Sequence, residues 1–156
     1  MTLASIFLSM MVSAFAAGDG VCVSNKDVVS HAEPRASAKT VATFSKYTAL
    51  KLTGKAKKPW VEVEEYDGRL SWVPRNSLSS RLNCVVVRVD KSRLRKGPGE
   101  DFPAENLAQR GEGFLNLGGE DGWIQVQSST GQKSWLNMEH SWHPTYKTRM
   151  SFTGDE

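Results

Sequence analysis

Two stretches of this chain alternate large apolar with polar side chains. WVEVEEY (residues 60–66) and WIQVQSS (123–129) carry this period of two, which places alternate side chains on one buried sheet face. Each is followed by turn residues, YDG and STG, in which Gly68 or Gly131 can take a backbone conformation that other residues avoid. LSWVP (70–74) and KSWLN (133–137) then read as returning partner strands. TALKLTG (48–54) and GEGFLNLGG (111–119) read as earlier short strands ending at glycine. No window beyond the N-terminus carries an amphipathic helical pattern. The pattern predicts an all-β chain of short antiparallel strands, curled so that each small sheet covers its own core.

The strands come in two sets. Trp60, Val61, Val63, Gly68, Trp72 and Val73 recur 63 residues later as Trp123, Ile124, Val126, Gly131, Trp135 and Leu136. Cys22 and Cys84, offset by 62, read as opening equivalent segments. The chain is a duplication of units of about 60 residues, close to the lower limit for an independent core. Trp60, Trp72, Trp123 and Trp135 are expected to build the two cores.

The second copy has the fuller motif: SRLRKGPGEDFP, then GFLNL, then GWIQVQSSTGQKSWL. The first keeps the proline of VVSHAEPRASAK, but has His31 or Ala32 near the place of Arg95 and Glu33 where glycine is expected. It also has PWVEV in place of GWIQV. On these residues the chain resembles the bacterial SH3-like (SH3b) family, in two copies at residues 22–80 and 84–140, followed by a tail at 141–156. The resemblance implies two tandem small SH3-like β-barrels. It also implies a binding or targeting module of an exported or envelope protein, frequently for cell-wall material.

Residues 3–17 carry no charge, and small side chains at Ala14 and Ala16 suit signal peptidase. Residues 1–17 therefore read as a signal peptide, although no Lys or Arg precedes the apolar run; a retained N-terminal anchor is the rival. The run is shorter than the ~20 residues a spanning helix needs, so no transmembrane span is expected in the mature chain. The expected location is the periplasm or the extracellular space. In such an oxidising compartment Cys22 and Cys84 make a disulfide candidate. The alternative is that each fills the same core niche in its own unit, reduced.

Charge sharpens the difference between the halves. Residues 22–83 hold 11 basic against 6 acidic side chains, and residues 84–156 hold 9 against 10. Lys51, Lys55, Lys57 and Lys58 cluster in KLTGKAKKPW, a surface suited to an acidic glycan or peptide. Nucleic acid is not expected, given the export reading and the neutral-to-acidic second half. Tyr47, Tyr66, Phe102 and Trp142 lie near turns or outside the repeated frame, where exposed rings could stack on sugars or hold a peptide. Tyr47, Lys57, Lys58, Tyr66, Arg95 and Phe102 are the candidate ligand contacts.

Catalytic patterns are sparse. LRKGPG (94–99) lacks the spacing of a phosphate loop, its proline removes a donor, and acidic residues follow it. It reads as a turn, with Arg95 covering apolar surface and pairing across it. Neither cysteine has a histidine setting that marks a nucleophile, and HSWH (140–143) offers too few ligands for a metal site. Glu62 and Glu64 alternate on what reads as a solvent-facing strand side. The expectation is no enzyme, no cofactor, no metal and no catalytic residue. The expected function is a non-catalytic exported module that recognises cell-wall glycan or peptide; the alternative is a structural or adaptor pair for an envelope protein.

Overall fold

The computed structural model describes residues 17–144, so the signal peptide reading and most of the C-terminal tail lie outside the described residues. Among the described residues, fourteen strands form two antiparallel sheets. The first contains β1 (Gly20–Val23), β2 (Val28–His31), β3 (Thr40–Phe44), β4 (Ala49–Lys57), β5 (Trp60–Glu64), β6 (Leu70–Pro74) and β7 (Leu78–Ser79). The second contains β8 (Cys84–Val87), β9 (Lys91–Arg95), β10 (Ala104–Gln109), β11 (Gly113–Glu120), β12 (Trp123–Gln127), β13 (Lys133–Asn137) and β14 (Ser141–Trp142). Their orders are β3-β2-β6-β5-β4-β1-β7 and β10-β9-β13-β12-β11-β8-β14. Adding seven to each strand of the first gives the second, so the duplication seen in the sequence is also one of topology.

The expectation of two SH3-like barrels is not met, because neither sheet closes. A barrel needs an unbroken ladder around its ring. Here β7 pairs only with β1, and β14 only with β8, each through two residues. At the far edges, β3 pairs with β2 and β10 with β9. Two-residue strands cannot bridge the remaining gap, and short edges are also a common protection against edge-to-edge association.

Aliphatic side chains fill both cores. Val21, Val23, Leu50, Leu52, Val61, Val63 and Val73 pack with Val28, Phe44 and Leu78 in the first unit. Val85, Val87, Phe114, Ile124, Val126 and Leu136 pack with Leu94 and Ala108 in the second. The four repeated tryptophans are only half-buried and belong to neither cluster. In β5, Val61 and Val63 take the core face, so Trp60 shares the other face with Glu62 and Glu64. Glu62 is not the solvent-facing charge expected: it is 8% exposed and accepts a 2.8 Å hydrogen bond from the Thr53 hydroxyl. His31 pairs with Trp72 as Arg95 pairs with Trp135, so His31 rather than Ala32 takes the arginine's place. Its ring meets Trp60 edge-on at 5.5 Å.

The cysteines are not equivalent in the repeat. Cys22 lies opposite Ala49 and Ser79, while Val86 lies opposite Gly113 and Trp142. Val23 and Val87 donate to the corresponding carbonyls of Thr48 and Glu112. The counterpart of Cys22 is therefore Val86, and that of Cys84 is Gly20, which faces Lys51 as Cys84 faces Leu115. The repeat offset is 64 residues from β1 into β4 and becomes 63 only past the bulge in β4, which hid the mismatch. Cys22 and Cys84 form a disulfide with their Cα atoms 5.9 Å apart.

Candidate functional site

The disulfide stands at the centre of a seam between the units. Cys22, Ala49, Cys84 and Val86 are buried there, with Tyr47, Tyr66, Leu82, Leu115 and Trp142 packed around them. Tyr47 and Tyr66 are thus half-buried in the seam rather than free on loops. Tyr47 holds a left-handed backbone conformation (φ 70°), and its amide donates to the Val23 carbonyl at 2.8 Å. Within the second unit, beside the seam, Arg110 bonds Asp90 at 2.7 Å and the Arg88 carbonyl at 2.9 Å. Hydrogen bonds to Asp90 and then to the Tyr66 hydroxyl push the guanidinium pKa above its ordinary value. Trp142 belongs to β14 and serves the same seam.

Lys55, Lys57 and Lys58 sit at the outer end of the β4–β5 hairpin, while Lys51 lies near the start of β4, paired with Glu64 at 3.2 Å. A register shift between Leu52 and Ala56, with Gly54 at φ 95°, bends β4 away from its straight course. Thr53 secures the bend by donating to Glu62 and accepting from the Lys55 amide. Lys55, Lys57 and Lys58 emerge exposed. Lys57 reaches the loop after β2, where it lines a surface cavity of about 310 Å³ with Glu33, Pro34 and Arg35. Arg35 is paired with Glu33; no ion pair forms at Lys57 or Lys58 among the described residues.

Arg95 and Phe102 belong to one loop. The Arg95 guanidinium donates to the Phe102 carbonyl at 2.8 Å, and the Lys96 amide to the Pro103 carbonyl at 3.0 Å. The Phe102 ring, 44% exposed, lies over Gly97, where a Cβ would come within 2.3 Å of it. Glycine at 97 is therefore required by the close approach of the ring. The histidines of HSWH are turned to separate partners: His140 to the Ser92 hydroxyl at 2.8 Å and His143 to the Pro144 carbonyl. Among the described residues, no group of three or more His, Cys, Asp or Glu is placed to hold a metal ion.

A second cavity, about 340 Å³, lies wholly in the second unit and was not singled out from the sequence. Its floor is Leu94 and Phe114; its walls are Asn106 and Leu107 of β10 and the Ser128–Gln132 turn. Asn106 donates to Gln132 at 3.2 Å across it. The matching turn of the first unit has the same backbone bonds, from Glu65 to Arg69 and from Gly68 to Glu65, but different side chains. Glu65, Asp67 and Arg69 stand where the second unit has Ser128, Thr130 and Gln132, and Arg69 pairs with both acids. The signal available in the sequence was this contrast, EYDGR against SSTGQ.

No family model matches the chain, and no curated protein matches it. Three solved structures are similar at low identity. The first is NlpC1 from Trichomonas vaginalis, at 12% identity and TM-score 0.36, covering 90% of this chain and 51% of that one. The second is NlpC2 from the same organism, at 8% identity and TM-score 0.36, covering 80% and 47%. The third is an NlpC/P60 family protein from Bacillus cereus, at 18% identity and TM-score 0.34, covering 65% and 37%. This chain spans about half or less of the length of each. All three are NlpC or NlpC/P60 proteins. The expectation of SH3b barrels is corrected on the open sheets, and the expectation of a chain that is no enzyme finds no support in these likenesses. At these TM-scores the likeness transfers no activity, and both cysteines of the chain are held in the disulfide.

Proposed function

We propose that this chain is an exported, envelope-facing recognition module whose first unit holds an anionic envelope polymer on the β4–β5 hairpin. The export part is supported by the uncharged N-terminal run with its small residues at 14 and 16, and by the buried Cys22–Cys84 bond, a linkage that persists in oxidising compartments. The observation that carries the binding part is Lys57, exposed beside Lys58 and lining a cavity with Arg35 and Glu33, with no carboxylate paired to it among the described residues. Lysines whose field is not offset by a neighbouring carboxylate attract an anionic ligand, and a bent hairpin holds them at a fixed spacing.

Co-sedimentation with purified cell wall tests the reading. Retention should fall as salt rises and fall again in the Lys57→Ser, Lys58→Ser variant. Capture of one defined envelope protein, with no retention on wall material, would sink the polymer reading and favour an adaptor.

A further inference from the structure

The geometry points to a second binding site, in the cavity of the second unit between β10 and the Ser128–Gln132 turn, for a short peptide segment bearing an ammonium group. It is independent of the polymer reading, which concerns the other unit and the opposite charge.

The duplication supplies the first argument. In the first unit the equivalent turn is spanned by its own charges: Arg69 pairs with Glu65 at 3.8 Å and with Asp67 at 3.4 Å. The second unit replaces all three by neutral hydrogen-bonding groups, Ser128, Thr130 and Gln132. Ser128 and Thr130 also brace the turn, the Ser128 hydroxyl accepting from the Gln132 amide at 3.2 Å and lying 2.8 Å from the Thr130 hydroxyl. The Gln132 side chain reaches out of the turn to Asn106. Here they line a space of about 340 Å³.

The chemistry of the lining selects the ligand. Asn106 and Gln132 face each other across the cavity, bonded at 3.2 Å. Their amides each keep donors and acceptors beyond that one bond, the complement of a peptide group. Leu94 forms part of the floor, and Leu107 is 46% exposed at the wall, so small apolar side chains have a place to rest. Sugars commonly stack on an aromatic face, but the only ring in the lining, Phe114, is 3% exposed.

The single charge in the lining is Glu112. One of its oxygens accepts from the Gln109 amide at 3.1 Å, and no cation pairs with it among the described residues. Its counterpart in the first unit is Thr48, buried and turned inward to the Ser45 carbonyl. Glu112 is exposed instead. A carboxylate beside neutral amides and hydroxyls favours an ammonium group on the ligand and disfavours an acidic polymer.

The test is an NMR titration of the full disulfide-bonded chain with N-acetyl-Ala-Ala-Lys-amide. A side-chain-acetylated copy of that peptide and a trimer of N-acetylglucosamine serve as comparison probes. The expected result is saturable shifts at Asn106, Thr130 and Gln132 with the lysine peptide, and affinity about tenfold weaker for the acetylated peptide and for Glu112→Gln. Glutamine can still accept from the Gln109 amide, so this variant keeps the local bond. Gln132→Leu should weaken the lysine peptide as well, with the amide spectrum elsewhere unchanged. Lys57→Ser, Lys58→Ser should leave this titration unaltered, which separates its outcome from that of the polymer reading. Absence of saturable shifts with the lysine peptide, equal affinity for its acetylated copy, or binding of the sugar trimer alone overturns the proposal.

Discussion

Gly113 of the second unit lies against the peptide bond that joins Tyr47 to Thr48 in the first. A Cβ at Gly113 would come within 2.4 Å of both the Tyr47 carbonyl carbon and the Thr48 nitrogen. Backbone cannot yield as a flexible side chain can. Gly113→Ala should therefore cost about 1–3 kcal/mol by overpacking the seam, read as a lower denaturant midpoint. A midpoint within error of the parent would mean that the two units do not pack this way in solution.

The disulfide should supply a larger share of stability. Cys22 and Cys84 are separated by 62 residues, and closing a loop of that size in the unfolded chain is worth about 4 kcal/mol on the chain-entropy model. Urea unfolding with and without reductant measures it. Non-reducing mass analysis after alkylation should find no free thiol before reduction.

The loop from Arg95 to Phe102 should behave as one packed unit. Gly97→Ala pushes a methyl into the Phe102 ring, so the cost should be about 1–3 kcal/mol. In Phe102→Ala the same methyl has room. A double-mutant cycle should give strong coupling between the two positions, whereas Gly99→Ala, with its nearest ring contact at 3.4 Å, should show little. Additive effects at 97 and 102 would contradict the observed packing.

Glu65 should make stability fall with rising pH. Its Oε2 is buried without a hydrogen bond. Desolvation, the largest effect, raises its pKa above the ordinary 4.5, against the attraction of Arg69 and with a smaller repulsion from Asp67. A carboxyl whose folded pKa is raised binds its proton more tightly in the folded state. Its contribution is thus fully present below the unfolded value and lost as pH climbs through the folded one. Glu65→Gln should flatten this slope and gain stability relative to the parent only above that window. A carboxyl titrating at or below 4.5 in the folded chain, followed by carbon NMR, would refute it.

Much of each sheet could be read from local pattern, because strand alternation and turn chemistry act over a few residues. The 63-residue repeat found β5, β6, β12 and β13 and their turns at Gly68 and Gly131. Alternation alone does not say which phase is buried. Trp60 is larger than Val61, yet the valine faces the core, since the twelve largest fully buried side chains are all Leu, Val or Cys. The seam was illegible for a different reason. Tyr47 and Tyr66 look the same in sequence whether they meet a ligand or the neighbouring unit, and that contact depends on packing between distant segments. The cavity of the second unit depends on Asn106 and Gln132, 26 residues apart, so no single window contained it.

The offset of the cysteines gives the pair of units a direction. Each sulfur forms one disulfide, so a bond between matched positions closes on a pair. One between unmatched positions could run along an array if every copy carried both cysteines. Here the donor from the first unit, Cys22, has a valine as its counterpart in the second, at Val86. The second unit can receive this cross-link but cannot pass it on, so covalent fastening of this kind ends with two.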